Sequence, residues 1–264
     1  MQQALAGHTN SYHTYSLEQA LAGIAAAGYR AVELTAVEGW TEHVDLAAET
    51  TGLRARLAHY GLEPVVLSAH SDLTTPEGRD YGIKAIRWCA DYGISVMNTA
   101  IGGHSSQEEN ELAFLANIGQ LAAVADECGV DVALEIHGDI MATGAKTLPL
   151  LQRIEHGRIK VCYDTANCEF YGETRAVDDL VTMLPYLANV HLKDKRGGAG
   201  VWDFPEPGGG SIDFGDLIAQ LEAAGYAGPL SVEIEFQGGP WPPLEQVDAA
   251  MARAHAYLSS LGLR

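Results

Sequence analysis

Four short segments end apolar, β-branched runs with groups that ionise or bond strongly. They are Glu135 and His137 in ALEIHGD, Asp164 and Asn167 in CYDTAN, His191 in VHLKD, and Glu233 and Glu235 in VEIEF. A charge inside a buried strand is costly unless paired, so each of these residues needs a partner. Taken singly, any of them could bond a loop amide or a lysine. On neighbouring strands of one sheet, Glu135, Asp164, His191 and Glu233 would converge on one point, where three ionised carboxylates repel strongly. A divalent cation removes that conflict. Three carboxylates and one imidazole form a hard, mostly oxygen donor set, suited to one Mn2+ first, with Mg2+ or Co2+ as alternatives and Zn2+ less natural. His70 and His137 are read as facing the same pocket without touching the metal.

Residues placed this way demand consecutive strands, and the chain supplies them. Helical and strand-like patterns alternate with no Pro/Ser-rich linker or charge block between them, which predicts a single α/β domain over residues 1–264. Ser16 and Gln19 form a capping box for a first helix whose apolar face is Leu17, Leu21 and Ile24, and Gly28 closes it. The series runs on through AVEL (31–34), a helix near 45–60 ended by Gly61, PVVLSAH (64–70), a helix near 77–92 and ISVMNTAIGG. A helix near 108–128 leads to VDVALEIHGD, TLPLLQRIE to IKVCYDTAN, and a helix near 177–185 to ANVHLKD. Last come IDFGDLIAQLEAAG, GPLSVEIEF and a final helix, PLEQVDAAMARAHAYLSSL.

With ALAGHT as the first strand there are eight strand–helix units, over a length close to the ~250 residues of a (β/α)8 TIM barrel. A doubly wound sheet usually carries a glycine-rich phosphate loop after its first strand, and HTNSYHTYS has no glycine. The barrel is therefore expected, with the polar strand ends at its C-terminal face.

Sixteen basic against thirty-five acidic residues, a formal charge of −19 over 264 residues, argue against nucleic acid or an anionic membrane surface as a partner. Cys89, Cys128, Cys162 and Cys168 show neither a CxxC pair nor zinc-ligand spacing, and are read as reduced core thiols of a cytoplasmic protein. MQQALAGHTNSYHTYS lacks the regions of a signal peptide, and no segment approaches ~20 apolar residues. The protein is expected to be neither secreted nor membrane-embedded. Its apolar C-terminal helix and loop aromatics point to a homo-oligomer.

ALEIHG, YDTAN, VHLKD and especially GGGSIDFGDLIAQLEAAGYAGPLSVEIE resemble the xylose-isomerase-like sugar phosphate isomerase/epimerase superfamily, which includes ketose 3-epimerases, hydroxypyruvate isomerase and inosose dehydratase. The match is good over strands five to eight and loose over strands one to four. Its most specific part is the ordered run of glycine-rich turn, Ile212-Asp213, amphipathic helix, GY-x-GP and a strand bearing Glu233. The resemblance implies a TIM barrel that holds one divalent metal through Glu135, Asp164, His191 and Glu233. It further implies that Glu135 and Glu233 double as the acid/base pair. Relatives often carry a substrate-binding histidine three residues after the strand-six aspartate, where this chain has Asn167.

An α-hydroxy ketone held at such a centre has an acidified C–H, so a sugar isomerase or epimerase working through an enediolate is expected. The alternative within enzymes is a lyase or dehydratase eliminating a β leaving group from a keto-sugar, keto-inositol or 3-keto-glycoside, with His137, His70 or Lys193 protonating the departing oxygen. A non-catalytic sugar-binding protein or partner subunit is the second alternative, opposed by the presence of both acid/base carboxylates.

Lys193 and Arg196 either hold a substrate oxygen or pair with the ligand carboxylates, and Asp194 can buffer the lysines beside it. Few arginines and no glycine-rich loop favour a non-phosphorylated substrate. Trp40, Trp202, Phe204 and Trp241 fall in loops at the same end and are read as a hydrophobic wall for the sugar, or alternatively as a subunit contact. His8, Asn10, Tyr12 and Glu33 open onto the same face, with no distinctive spacing.

Overall fold

The computed structural model describes residues 4–102 and 108–264; the first three residues and the last glycine of ISVMNTAIGG lie outside them. The elements follow in the order β1 (Leu5–His8), α1 (Leu17–Ala27), β2 (Ala31–Thr35), α2 (Thr50–Tyr60), β3 (Glu63–Ser68), α3 (Pro76–Tyr92) and β4 (Val96–Thr99). Next are α4 (Glu108–Cys128), β5 (Asp131–Glu135), α5 (Gly144–Ile154), β6 (Ile159–Asp164), α6 (Asn167–Gly172) and α7 (Ala176–Met183). β7 (Leu187–Leu192), α8 (Phe214–Ala223), β8 (Leu230–Val232) and α9 (Leu244–Ser260) complete the chain. All eight strands are parallel, and β8 pairs with β1, so the sheet closes into the expected barrel.

Local chemistry explains the boundaries. Ser16 and Gln19 cap α1 reciprocally, and Gly28 at φ 108° ends it, as a residue without Cβ can. α2 begins five residues later than the pattern near 45–60 predicts. The Asp45 carboxylate takes the Ala47 N–H, a local bond that competes with the helix, and α2 starts only at Thr50. The short α6 was not expected. Asp164 starts it, because its Oδ1 accepts the N–H groups of Ala166 and Asn167, both at 2.8 Å.

Register turns the pattern into a site. Glu33 lies beside His8, Glu135 beside Cys162, and Asp164 beside His191. Along a strand, alternate residues share a face, so Ala133 and Cys162 point inward below Glu135 and Asp164. With Val66, Val96 and Ala188 they form a small apolar plug. The barrel interior is therefore apolar below and ionisable at its C-terminal mouth. Outside it, the helices pack on the sheet through a continuous buried core. All four cysteines are free; Cys89, Cys162 and Cys168 are buried and Cys128 is half-buried.

Asp194 does something other than buffer lysines. Its carboxylate accepts the backbone N–H groups of Lys195, Gly208, Gly210 and Ile212, tying the strand-seven end to the glycine-rich turn before α8. A Cβ on Gly210 would meet Asp194 Oδ1 at 2.3 Å, so this turn requires glycine there. Buried Lys195 donates to the carbonyls of Arg196, Gly198 and Val201 and shapes the loop that carries Trp202 and Phe204. Asp194→Ala orphans several amides and is expected to cost about 3 kcal/mol. That corresponds to a fall of roughly 6–12 °C in Tm by calorimetry. An unchanged Tm would contradict this reading of the loop.

Candidate active site

Glu135 ends β5, Asp164 ends β6, His191 lies in β7 and Glu233 follows β8 directly. Each offers one ligand atom, and the four atoms lie within 4.8 Å of one another. His191 Nδ1 stands 3.6 Å from Glu135 Oε2, 3.8 Å from Asp164 Oδ2 and 3.6 Å from Glu233 Oε2. These separations are too long for hydrogen bonds. His191 Nδ1 and Asp164 Oδ2 are buried without a hydrogen-bond partner, which native interiors rarely tolerate. The four groups thus surround a point from which a cation can satisfy every one of them, and the donor set fits a hard divalent ion.

Amide donors hold the two glutamates from opposite sides. Glu135 accepts from Asn98 Nδ2 and Asn167 Nδ2, both at 3.1 Å, and His70 Nε2 lies 3.0 Å from its Oε2. Glu233 accepts from Asn10 Nδ2 at 2.8 Å. The Asn10 carbonyl in turn accepts from Trp40 Nε1 at 2.9 Å and Thr41 Oγ1 at 2.7 Å, which locks its orientation.

Above the cluster lies a cavity of about 280 Å³. His70, His137, Asn167, Lys193 and Trp202 line it together with Glu135, Glu233 and Glu235. Asp164 and His191 are wholly buried beneath its floor. His137 pairs with the Tyr171 hydroxyl at 3.2 Å.

Lys193 is buried, with Nζ 2.6 Å from Glu235 Oε2, 3.3 Å from Glu233 Oε2 and 4.6 Å over the Phe204 ring. Burial lowers an ammonium pKa, but the carboxylates of Glu233, Glu235, Asp164 and Glu135 outweigh it and keep Lys193 a cation well above the usual lysine range. Burial pushes Glu235 up to about 7, with Lys193 pulling it down and the Glu233 charge pushing it up. Burial also raises Glu233, yet Lys193, His8 and His191 hold it down to about 2.

Three residues lie elsewhere than expected. Arg196 is exposed, donates Nε–H to the Gly209 carbonyl and lines a separate surface pocket, so it is not a wall of this cavity. Tyr12 is buried against α1 and α9, its hydroxyl donating to Asp248. Trp241 donates to the Ser11 carbonyl and packs on His13 and Phe236, bracing a loop outside the residues lining the cavity. Trp40, Trp202 and Phe204 do line it.

Other members of the site carried a readable signal. Glu33 in AVELT and Asn98 in VMNT are polar residues inside apolar strands, the same mark that singles out Glu135. Tyr171 had no such mark, because it reaches the cavity from the unexpected helix α6.

Residues 21–257 match the family described as xylose isomerase-like TIM barrel. Over 233 residues the chain is 27% identical to an L-ribulose 3-epimerase of Methylomonas sp., covering 81% of this chain and 77% of that protein. It is 29% identical over 183 residues to an inosose dehydratase of Erwinia tasmaniensis, 60% of each chain. The two relatives are both enzymes, of different reaction types. A solved structure of L-ribulose 3-epimerase superposes with a TM-score of 0.80 at 21% identity, covering 99% of this chain and 94% of that one. The family match spans most of the barrel, including all four residues of the central cluster, and the chain belongs to the xylose isomerase-like TIM barrel family.

Proposed function

We propose that the protein is a divalent-metal-dependent sugar epimerase or isomerase, with Glu135 and Glu233 as its acid/base pair. One observation carries this reading. Two buried carboxylates from β5 and from the end of β8 meet at a single cation-sized cluster, each braced by a side-chain amide and each lining the cavity. Glu135, Asp164, His191 and Glu233 would hold the cation, which would supply positive charge to a ketose carbonyl and so acidify the adjacent C–H. Either glutamate can remove that proton, and the other can return it from the opposite side. Return to the same carbon inverts it; return to the neighbouring carbon moves the carbonyl. The aromatic wall of Trp40, Trp202 and Phe204 suits the apolar face of an uncharged sugar.

The test is proton exchange. Incubated with Mn2+ in D2O, the protein is expected to place deuterium α to the carbonyl in at least one member of a panel of ketoses and keto-glycosides, read by NMR. No metal-dependent exchange or elimination with any of them counts against an enzyme and for a sugar-binding role.

Lys193 favours a second reading, elimination. A buried ammonium facing the cavity, 2.6 Å from Glu235, can protonate a departing oxygen while a glutamate takes the α proton. The same panel separates the two. Growth of a conjugated enone absorbance with loss of the leaving group marks a dehydratase or lyase, and an inverted or shifted centre marks the epimerase or isomerase.

A further inference from the structure

A second group of metal-type ligands lies just below the first: His8, Glu33 and His191, with one ligand atom each within 4.8 Å of the others. His191 belongs to both groups, through different ring nitrogens. Its Nδ1 faces Glu135, Asp164 and Glu233, while its Nε2 stands 3.1 Å from Glu33 Oε1.

Hydrogen bonding decides what the lower group does. His8 Nδ1 accepts the Asn10 backbone N–H at 3.0 Å. An amide N–H can only donate, so a neutral His8 carries its proton on Nε2. That nitrogen points to Glu33 Oε1 at 3.4 Å, with Glu233 farther away at 3.8 Å. Glu33 is fully buried, so its charge requires donors. His191 Nε2–H supplies one at 3.1 Å, whereas His8 Nε2, at 3.4 Å, makes no hydrogen bond. The Asn98 amide also approaches His191 Nε2, at 3.5 Å, but that is the outer limit of a bond and the carboxylate is both nearer and charged. A second cation in the lower group would need both Nε2 lone pairs, and His191 would then have to serve two ions as an imidazolate.

We infer that Glu33 is a positioning residue: it accepts Nε2–H from His191, fixes that tautomer and ring orientation, and thereby aims the Nδ1 lone pair at the Glu135–Asp164–Glu233 cluster. The hydrogen-bonded pair of Glu33 and His191 is therefore a support behind one metal position, and the group it forms with His8 is not a second one. This rests on the metal reading proposed above. A carboxylate behind a metal-bound histidine orients the ring and raises its basicity, and its loss typically lowers metal affinity about 10–100-fold.

Two measurements test it. Calorimetric titration of metal-stripped protein with Mn2+ is expected to give one ion per chain, and Glu33→Gln to bind that ion about 10–100-fold more weakly with an unchanged circular dichroism spectrum. The second needs no variant. In the Mg2+-saturated wild-type chain, long-range 15N–1H NMR of the histidines is expected to show His191 with a proton on Nε2 and none on Nδ1. Equal Mn2+ affinity in Glu33→Gln, a second ion per chain, or a proton on His191 Nδ1 overturns the assignment and leaves the upper site standing. No Mn2+ binding by the wild-type chain overturns the metal reading itself, and this inference with it.

Discussion

Glu233→Gln is expected to lower turnover by about a thousandfold, the middle of the range for a positioned acid or base. The replacement matches the original in shape. The glutamine carbonyl can still accept from Asn10 Nδ2, now 2.8 Å from Glu233 Oε1, so the fold around Asn10, Thr41 and Trp40 is kept. The amide cannot take up a proton, and its NH2 faces Lys193 Nζ, which stands 3.3 Å from the present Oε2. Because Glu233 is also in the proposed ligand set, turnover and α-deuterium exchange should be compared at Mn2+ concentrations that saturate the variant. Retention of more than a few per cent of wild-type turnover under those conditions removes Glu233 from the acid/base role. Glu135→Gln supplies the matched comparison, since Glu135 accepts from Asn98 and Asn167 in the same manner.

The barrel and its central cluster were legible because both follow from short-range pattern. Eight apolar runs at regular intervals specify the sheet, and a charge at the end of such a run must find a partner. Closure does the rest, since β5 to β8 are neighbours in the ring and their top residues meet. What stayed hidden depends on loop paths and side-chain direction. Arg196 stands only three residues from Lys193, yet one faces solvent and donates to the Gly209 carbonyl while the other faces the cavity. Asp194 looks like a charge balancing lysines, and its real partners are backbone amides up to eighteen positions away. Glu33 was visible as a charged residue in an apolar strand, but its role depends on which nitrogen of His191 it meets, 158 positions along the chain.

The same logic explains why the reaction type is not written in the strand ends. Epimerisation, isomerisation and elimination share the C–H step and differ in where the proton returns or which bond then breaks. That choice lies with cavity groups such as Lys193, His70 and His137. His70 is committed to Glu135 at 3.0 Å and His137 meets Tyr171, whereas Lys193 sits between Glu233 and Glu235. Lys193→Met keeps the bulk of the stem and removes the charge. It should depress elimination far more than α-proton exchange if the second reading holds.

On the metal reading proposed above, metal removal should have the largest effect of all: EDTA treatment followed by desalting is expected to abolish turnover, and Mn2+ to restore it. Stability should follow. A ligand that binds the folded chain alone at a hundred times its Kd stabilises it by about 2.7 kcal/mol, which in a chain of this size corresponds to a Tm rise of roughly 5–10 °C. The orphaned His191 Nδ1 and Asp164 Oδ2 are the reason to expect a real shift, since both are buried polar atoms that the cation would satisfy. His191→Ala isolates that contribution. It deletes the one nitrogen donor of the cluster, so metal content by elemental analysis should fall sharply. Unchanged metal content in His191→Ala would remove the histidine from the ligand set, and a Tm indifferent to both EDTA and Mn2+ would show that the cluster is balanced by Lys193 and its hydrogen bonds alone.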